Sequence, residues 1–99
     1  MNKMRRRELN NLNNELRCVN DKQDLYSCIS TLEGIKLDEE IYYDNIPENL
    51  QYSNRAYDSE QAISNMDDAL DLLNEAYDAD KIDKDLISQA INAIEEASY

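Results

Sequence analysis

From Arg5 onward the apolar residues recur at Leu9, Leu12, Leu16 and Val19, steps of three and four that place them on one face of an α-helix. That face is narrow. Asn10, Asn11, Asn13 and Asn14 sit between the leucines, and asparagine is a poor helix former, so the segment is expected to be helical only when its stripe is covered. The pattern then falters: the next positions in phase are Lys22 and Gln23, apolar character resumes at Leu25, and Cys28, Ile29, Leu32, Ile35 or Lys36, and residues 39–42 continue the helical period. The patch Asn20-Asp21-Lys22-Gln23-Asp24 reads either as the solvated middle of one long helix or as a break with a fresh N-cap. The favoured expectation is a continuous helix over about 4–43, weakened locally there and at Gly34, which costs about 1 kcal/mol in a helix interior.

Pro47 ends this first half. It pushes Ile46 toward extended angles and suits the start of a new turn, so residues 44–53 are predicted to turn the chain, with Asn45 able to cap a single turn at Pro47-Glu48-Asn49-Leu50. Ser53 or Ser59 can cap the helix that follows, over about 54–78. Ile63, Met66, Leu70, Leu73 and Tyr77 step along it by three and four, with Ala62, Ala69 and Ala76 in an adjoining row. Small residues in such a row admit a close neighbour, so this helix is expected to bury a broad face. Asp83 is the expected N-cap of a last helix, about 83–98, with Ile82 and Ile87 placed as a hydrophobic staple and Ile87, Ala90, Ile91, Ile94 and Ala97 as its apolar face. The short connection makes the last two helices an antiparallel hairpin. The expected fold is all-α: a single helical domain over 1–99, with a long first helix, broken or whole near 20–24, and a C-terminal hairpin, in a three-helix or coiled-coil-like bundle.

Composition agrees, with one Gly, one Pro and neither Trp nor Phe among 99 residues. Charge changes the picture more. Residues 1–22 carry six bases against three acids, residues 23–99 four against nineteen, and the net charge is -12. Such a body repels nucleic acid and anionic lipid and attracts basic protein surfaces. Asp67, Asp68, Asp71, Glu75 and Asp78 fall opposite the apolar stripe of their helix and are the candidate partner-binding face. The plain alternative is that acidic faces keep a small protein in solution. Tyr43, Asp44 and Tyr52 at the central turn are a second candidate contact, because tyrosines give rigid area with a polar tip; Tyr42, Tyr57 and Tyr77 are expected to flank or face the same turn, where all of them could equally seal a thin core. Leu9, Leu12, Leu16 and Val19 are the candidate self-association stripe, through which a homodimer would form.

Chemistry finds little support. There is no histidine, so no imidazole serves the serines, and neither cysteine has an evident activating partner; no enzyme activity and no cofactor are expected. The carboxylates Asp78, Asp80, Asp83 and Asp85 invite a calcium test, but counting from Asp78 puts Ile82 at position 5, Asp83 at 6 and Gln89 at 12, which misses the loop pattern. No metal is expected. Cys18 and Cys28, if on one helix, lie about 15 Å apart, too far for a disulfide. Arg5-Arg6-Arg7 is a short basic cluster without aromatic interleaving, read as a solvated helix start or a contact to an acidic surface of this chain or a partner, and no direct nucleic-acid binding is expected. The basic start is followed by no apolar run, so neither a secretory signal nor a membrane span is expected and the default location is the reducing cytoplasm.

The order of features, a basic start at 3–7, a long charged helix, the turn Tyr43-Asp44-Asn45-Ile46-Pro47-Glu48-Asn49-Leu50-Gln51 with Ser53 after it, and an acidic Ala/Leu/Ile-rich helix, resembles a group of small proteins carried by bacteriophages and mobile elements of Gram-positive bacteria. The resemblance implies a mobile-element context in a host bacterial cell and no assigned activity. With the charge it leads to one expectation: a non-enzymatic inhibitor, anti-CRISPR-like in kind, whose acidic helical surface mimics nucleic acid and blocks a basic groove of a defence effector such as a nuclease. A self-associating structural or adaptor protein of a phage is the alternative.

Overall fold

The computed structural model describes all 99 residues, and its elements are helices packed on helices: α1 (Lys3–Arg17), α2 (Lys22–Asp44), a single 3-10 turn (Glu48–Leu50), α3 (Asn54–Asp78) and α4 (Lys84–Ala97). Each α-helix starts on a short polar side chain that accepts a hydrogen bond from the first turn. Asn2 accepts from the Arg5 N–H and Asp21 from that of Asp24, both at 2.8 Å; Ser53 accepts from Ala56, and Asp83 from Asp85 and Leu86. Such caps satisfy donors that the helix itself leaves orphaned. Ser53, not Ser59, is the cap of α3; Ser59 lies inside that helix and is fully buried.

The favoured continuous first helix is two helices. The break falls at residues 18–21, and its cause is visible in the polar patch. Asp21 caps α2, while the Asp24 carboxylate accepts from the Asn20 N–H at 3.3 Å, an exchange close to a capping box. Val19 drops into the core at 1% exposure, and its carbonyl accepts from the Lys84 ammonium at 2.7 Å. Tertiary contacts with α4 thus complete a turn that the helical period alone did not favour. Asn45 closes α2 instead of capping the next turn: its N–H donates to the carbonyls of Ile41 and Tyr42, the Ile46 N–H donates to that of Tyr43, and the 3-10 turn has no side-chain cap.

The helices form a ring. α3 packs against α2 and α4, and α1 closes the circuit against α2 and α4. Antiparallel pairing of α2 with α3 is fixed by Lys36 with Asp67 and by Glu39 with Ser59. The body measures 48 × 21 × 18 Å. Its core holds Leu9, Leu12, Leu16 and Val19 from the N-terminal stripe, Leu25, Leu32 and Ile35 from α2, Met66 and Leu73 from α3, and Ile87 and Ile94 from α4. The alanines 62, 69 and 76 of α3 are each at most 1% exposed, and small residues there let neighbouring helices come close. No helix is long and apolar enough to cross a membrane.

Candidate functional site

The acidic run predicted on α3 is displayed as a surface. Asp67, Asp68, Asp71, Glu75 and Asp78 are all exposed, and positions 68, 71, 75 and 78 follow one line along the helix. That line spans about 15 Å, or one carboxylate per roughly 5 Å, where a DNA strand carries one charge per about 3.4 Å. Asp67 is not free: it meets the Lys36 ammonium of α2 at 2.5 Å, and Glu40 lies 3.9 Å from the same nitrogen. The hydrogen bond to Asp67 pushes the Lys36 pKa up, burial opposing it, with Asp67, Glu40 and Asp71 adding through their charge. Lys36 is therefore a resident cation within the acidic surface.

The turn residues separate. Tyr43 and Asp44 line a shallow depression between α2 and α3 with Glu40, Glu60 and Ile63. Tyr52 lies outside that depression and is fully solvated. Tyr77 does not face the turn at all: it sits at the other end of the bundle, its ring 6.2 Å from that of Tyr26 and 5.3 Å from the Lys22 ammonium. The stripe Leu9, Leu12, Leu16 and Val19 is at most 1% exposed within the chain's own core. In this fold it is no face on which a second copy could dock.

A cluster that the sequence reading missed lies at one end of the core. Glu39 is fully buried, and three donors converge on it: Arg5 Nε at 2.9 Å on Oε1, with Ser59 Oγ at 2.5 Å and the Tyr99 hydroxyl at 3.0 Å on Oε2. The Arg5 guanidinium also stands 5.3 Å from the Tyr42 ring centre, within range of a cation–π contact. Arg6 donates to the Tyr99 carbonyl at 3.3 Å. Burial, helped by the charge and hydrogen bond of Glu39, pushes the Tyr99 phenol well above its ordinary pKa. The sequence did carry a signal. Glu39 continues the in-phase series 25, 28, 32 and 35, so an acid occupies a core position and calls for a buried partner.

The cluster is a fastening. Its groups are spent on one another, and Glu39 has no exposed surface. Arg5 and Arg6, two of the three consecutive arginines in the first turns of α1, are engaged with this chain.

The α1–α2 break brings Cys18 and Cys28 to one shallow depression with Glu15 and Asp24, so a single-helix separation no longer describes them; both thiols are free. Burial, aided by the Glu15 and Asp24 charges, pushes the Cys28 thiol up to about 11, which keeps it protonated and unreactive at neutral pH. Asn13 is 3% exposed; its Nδ2 donates to the Ile91 carbonyl at 3.5 Å, and its Oδ1 has no partner. Asp83 spends its carboxylate on the N–H groups of Asp85 and Leu86. Comparison with protein-family models, curated proteins and solved structures finds no match.

Proposed function

We propose that this chain is a non-enzymatic binding protein that lays an acidic helical surface on a basic, nucleic-acid-binding groove of another protein and blocks it, in the manner of a DNA-mimic or anti-CRISPR-like inhibitor. One observation carries this. Of 22 acidic side chains only Glu39, Glu40, Asp67 and Glu95 have a basic partner within 4 Å. The other eighteen are unpaired, and none of them is buried. A fold that had to manage its charge internally would pair more of it; here the charge faces outward on rigid helices, where it steers encounter with a basic surface and suppresses encounter with nucleic acid. The Glu39 cluster supports binding over catalysis, because its ionisable groups are satisfied by each other. The phage or mobile-element setting rests on the sequence resemblance alone, and the defence-effector target on that resemblance taken together with the acidic charge.

The test is affinity capture from a bacterial lysate at about 50 and about 300 mM salt, a range over which phosphate-like contacts weaken steeply, followed by competition with duplex DNA for whatever is captured. A basic DNA-binding protein held only at low salt, and released from DNA by this chain, is the expected result. Capture that is indifferent to salt, or a captured protein whose DNA binding is untouched, overturns the proposal.

A further inference from the structure

α2 is apolar on two sides. One side is core; the other carries Leu37 and Ile41, 56% and 51% exposed and one turn apart, with Gly34 a turn before them. Gly34 is the only glycine in the chain. It stands in mid-helix, where glycine is among the least favourable residues. Nothing inside the molecule requires it, since a Cβ there would meet no atom within 4 Å and no residue has a positive φ. Its absent side chain leaves room only on the outside.

Two shallow depressions follow the α2–α3 seam beside this ridge and share Glu40. One is lined by Gly34, Leu37 and Leu70, the other by Tyr43 and Ile63, with Glu33, Asp44 and Glu60 along the rims. Lys36 crosses the seam but is neutralised by Asp67. From Gly34 to Asp44 the seam runs about 15 Å, the length of ten helical residues. Its ridge steps by three and four, the spacing that accepts the ridges of another helix, and a glycine in the ridge allows closer approach.

Resting on the reading of the protein as a binder of basic surfaces, we propose that the α2–α3 seam is a docking groove for a short basic amphipathic helix of a partner protein, whose apolar face covers Leu37, Ile41 and the gap at Gly34 while its lysines and arginines meet Glu33, Glu40, Asp44 and Glu60. Charge complementarity selects this occupant. A second copy would bring the same acids to the same rim and a further net charge of -12, which repels. The partner's helix therefore reads as apolar positions at i, i+3 or i+4, and i+7, flanked by bases.

The probe is a fluorescein-labelled peptide of about fourteen leucines and lysines with the leucines at helical spacing, compared by anisotropy with an isomer of identical composition in scrambled order. The patterned peptide is expected to bind the wild-type chain at least about ten-fold more tightly than the scrambled one. The double change Leu37→Ser and Ile41→Ser should abolish that difference. Gly34→Gln should also reduce it while raising the melting temperature, which separates a blocked groove from a damaged fold. Equal binding of both peptides with steep salt dependence would leave the acidic-surface reading standing and remove the groove. Binding of neither at about 50 mM salt would remove both. A dimer in sedimentation that the serine changes dissolve would give the face to a second copy and overturn the assignment.

Discussion

Glu39 and Asp67 are both carboxylates joined to a base across a helix pair, yet they sit in opposite worlds. Glu39 has no exposed side-chain surface, and its partner Arg5 only 11%; Asp67 is 52% exposed and Lys36 23%. Taking a charge out of water costs several kcal/mol, which is tolerated only when donors surround it. Glu39 has three such donors on three different parts of the chain. Asp67 keeps most of its hydration and gives up little by pairing. The same functional group is thus a determinant of the fold on α2 and an element of the surface in the middle of α3.

Removing the buried member should have the largest effect. Glu39→Ala leaves Arg5 facing a void without its counter-charge and takes an acceptor from Ser59 and Tyr99, a loss of about 3–5 kcal/mol from a total of about 5–15 kcal/mol for a domain of this kind. Urea unfolding measures it, and a loss under about 1 kcal/mol would show that the cluster does not hold the helices together.

A smaller effect should appear on raising pH. The Tyr99 and Cys28 pKa values are both raised in the fold, so the unfolded chain releases these protons first. Their contribution is complete below the unfolded values, near pH 9 for the thiol and 10 for the phenol, and is lost as pH climbs through the folded ones. Melting temperatures should therefore fall above about pH 9. Cys28→Ala should remove the earlier part of that alkaline slope and Tyr99→Phe the later part; an unchanged slope in both variants would contradict the assignment. The smallest change belongs to the surface pair. Asp67→Asn should cost about 0.2–1 kcal/mol, and a loss as large as that of Glu39→Ala would erase the contrast between the two sites.

Much of this molecule can be read from residue order, for identifiable reasons. The α3 stripe with its alanine row, the Asp83 cap and the Ile82–Ile87 staple are local signals, and the helices begin and pack accordingly. The α1–α2 break runs against the favoured expectation of a continuous helix and is decided by two long-range facts, Val19 entering the core and Lys84 reaching its carbonyl. The leucine stripe was legible as a buried face, but what covers it is not a property of the stripe. The acidic run on α3 is exposed as its phase requires. The cluster at Glu39 joins residues 5, 39, 59 and 99, separations at which no periodicity speaks; only the misplaced acid in the core phase of α2 pointed to it. Lys36 likewise owes its partner to the register of α2 on α3, which brings it to Asp67.

The 48 Å length of the bundle sets a footprint for the proposed mimicry. Measured against B-form DNA it equals about fourteen base pairs, which would carry about 28 phosphates, whereas this body offers 22 carboxylates and a net charge of -12. Per unit length it is the weaker polyanion. A rod of this kind can displace duplex only where shape and apolar contact add to charge, and so it favours a channel no longer than itself over an extended, purely electrostatic track.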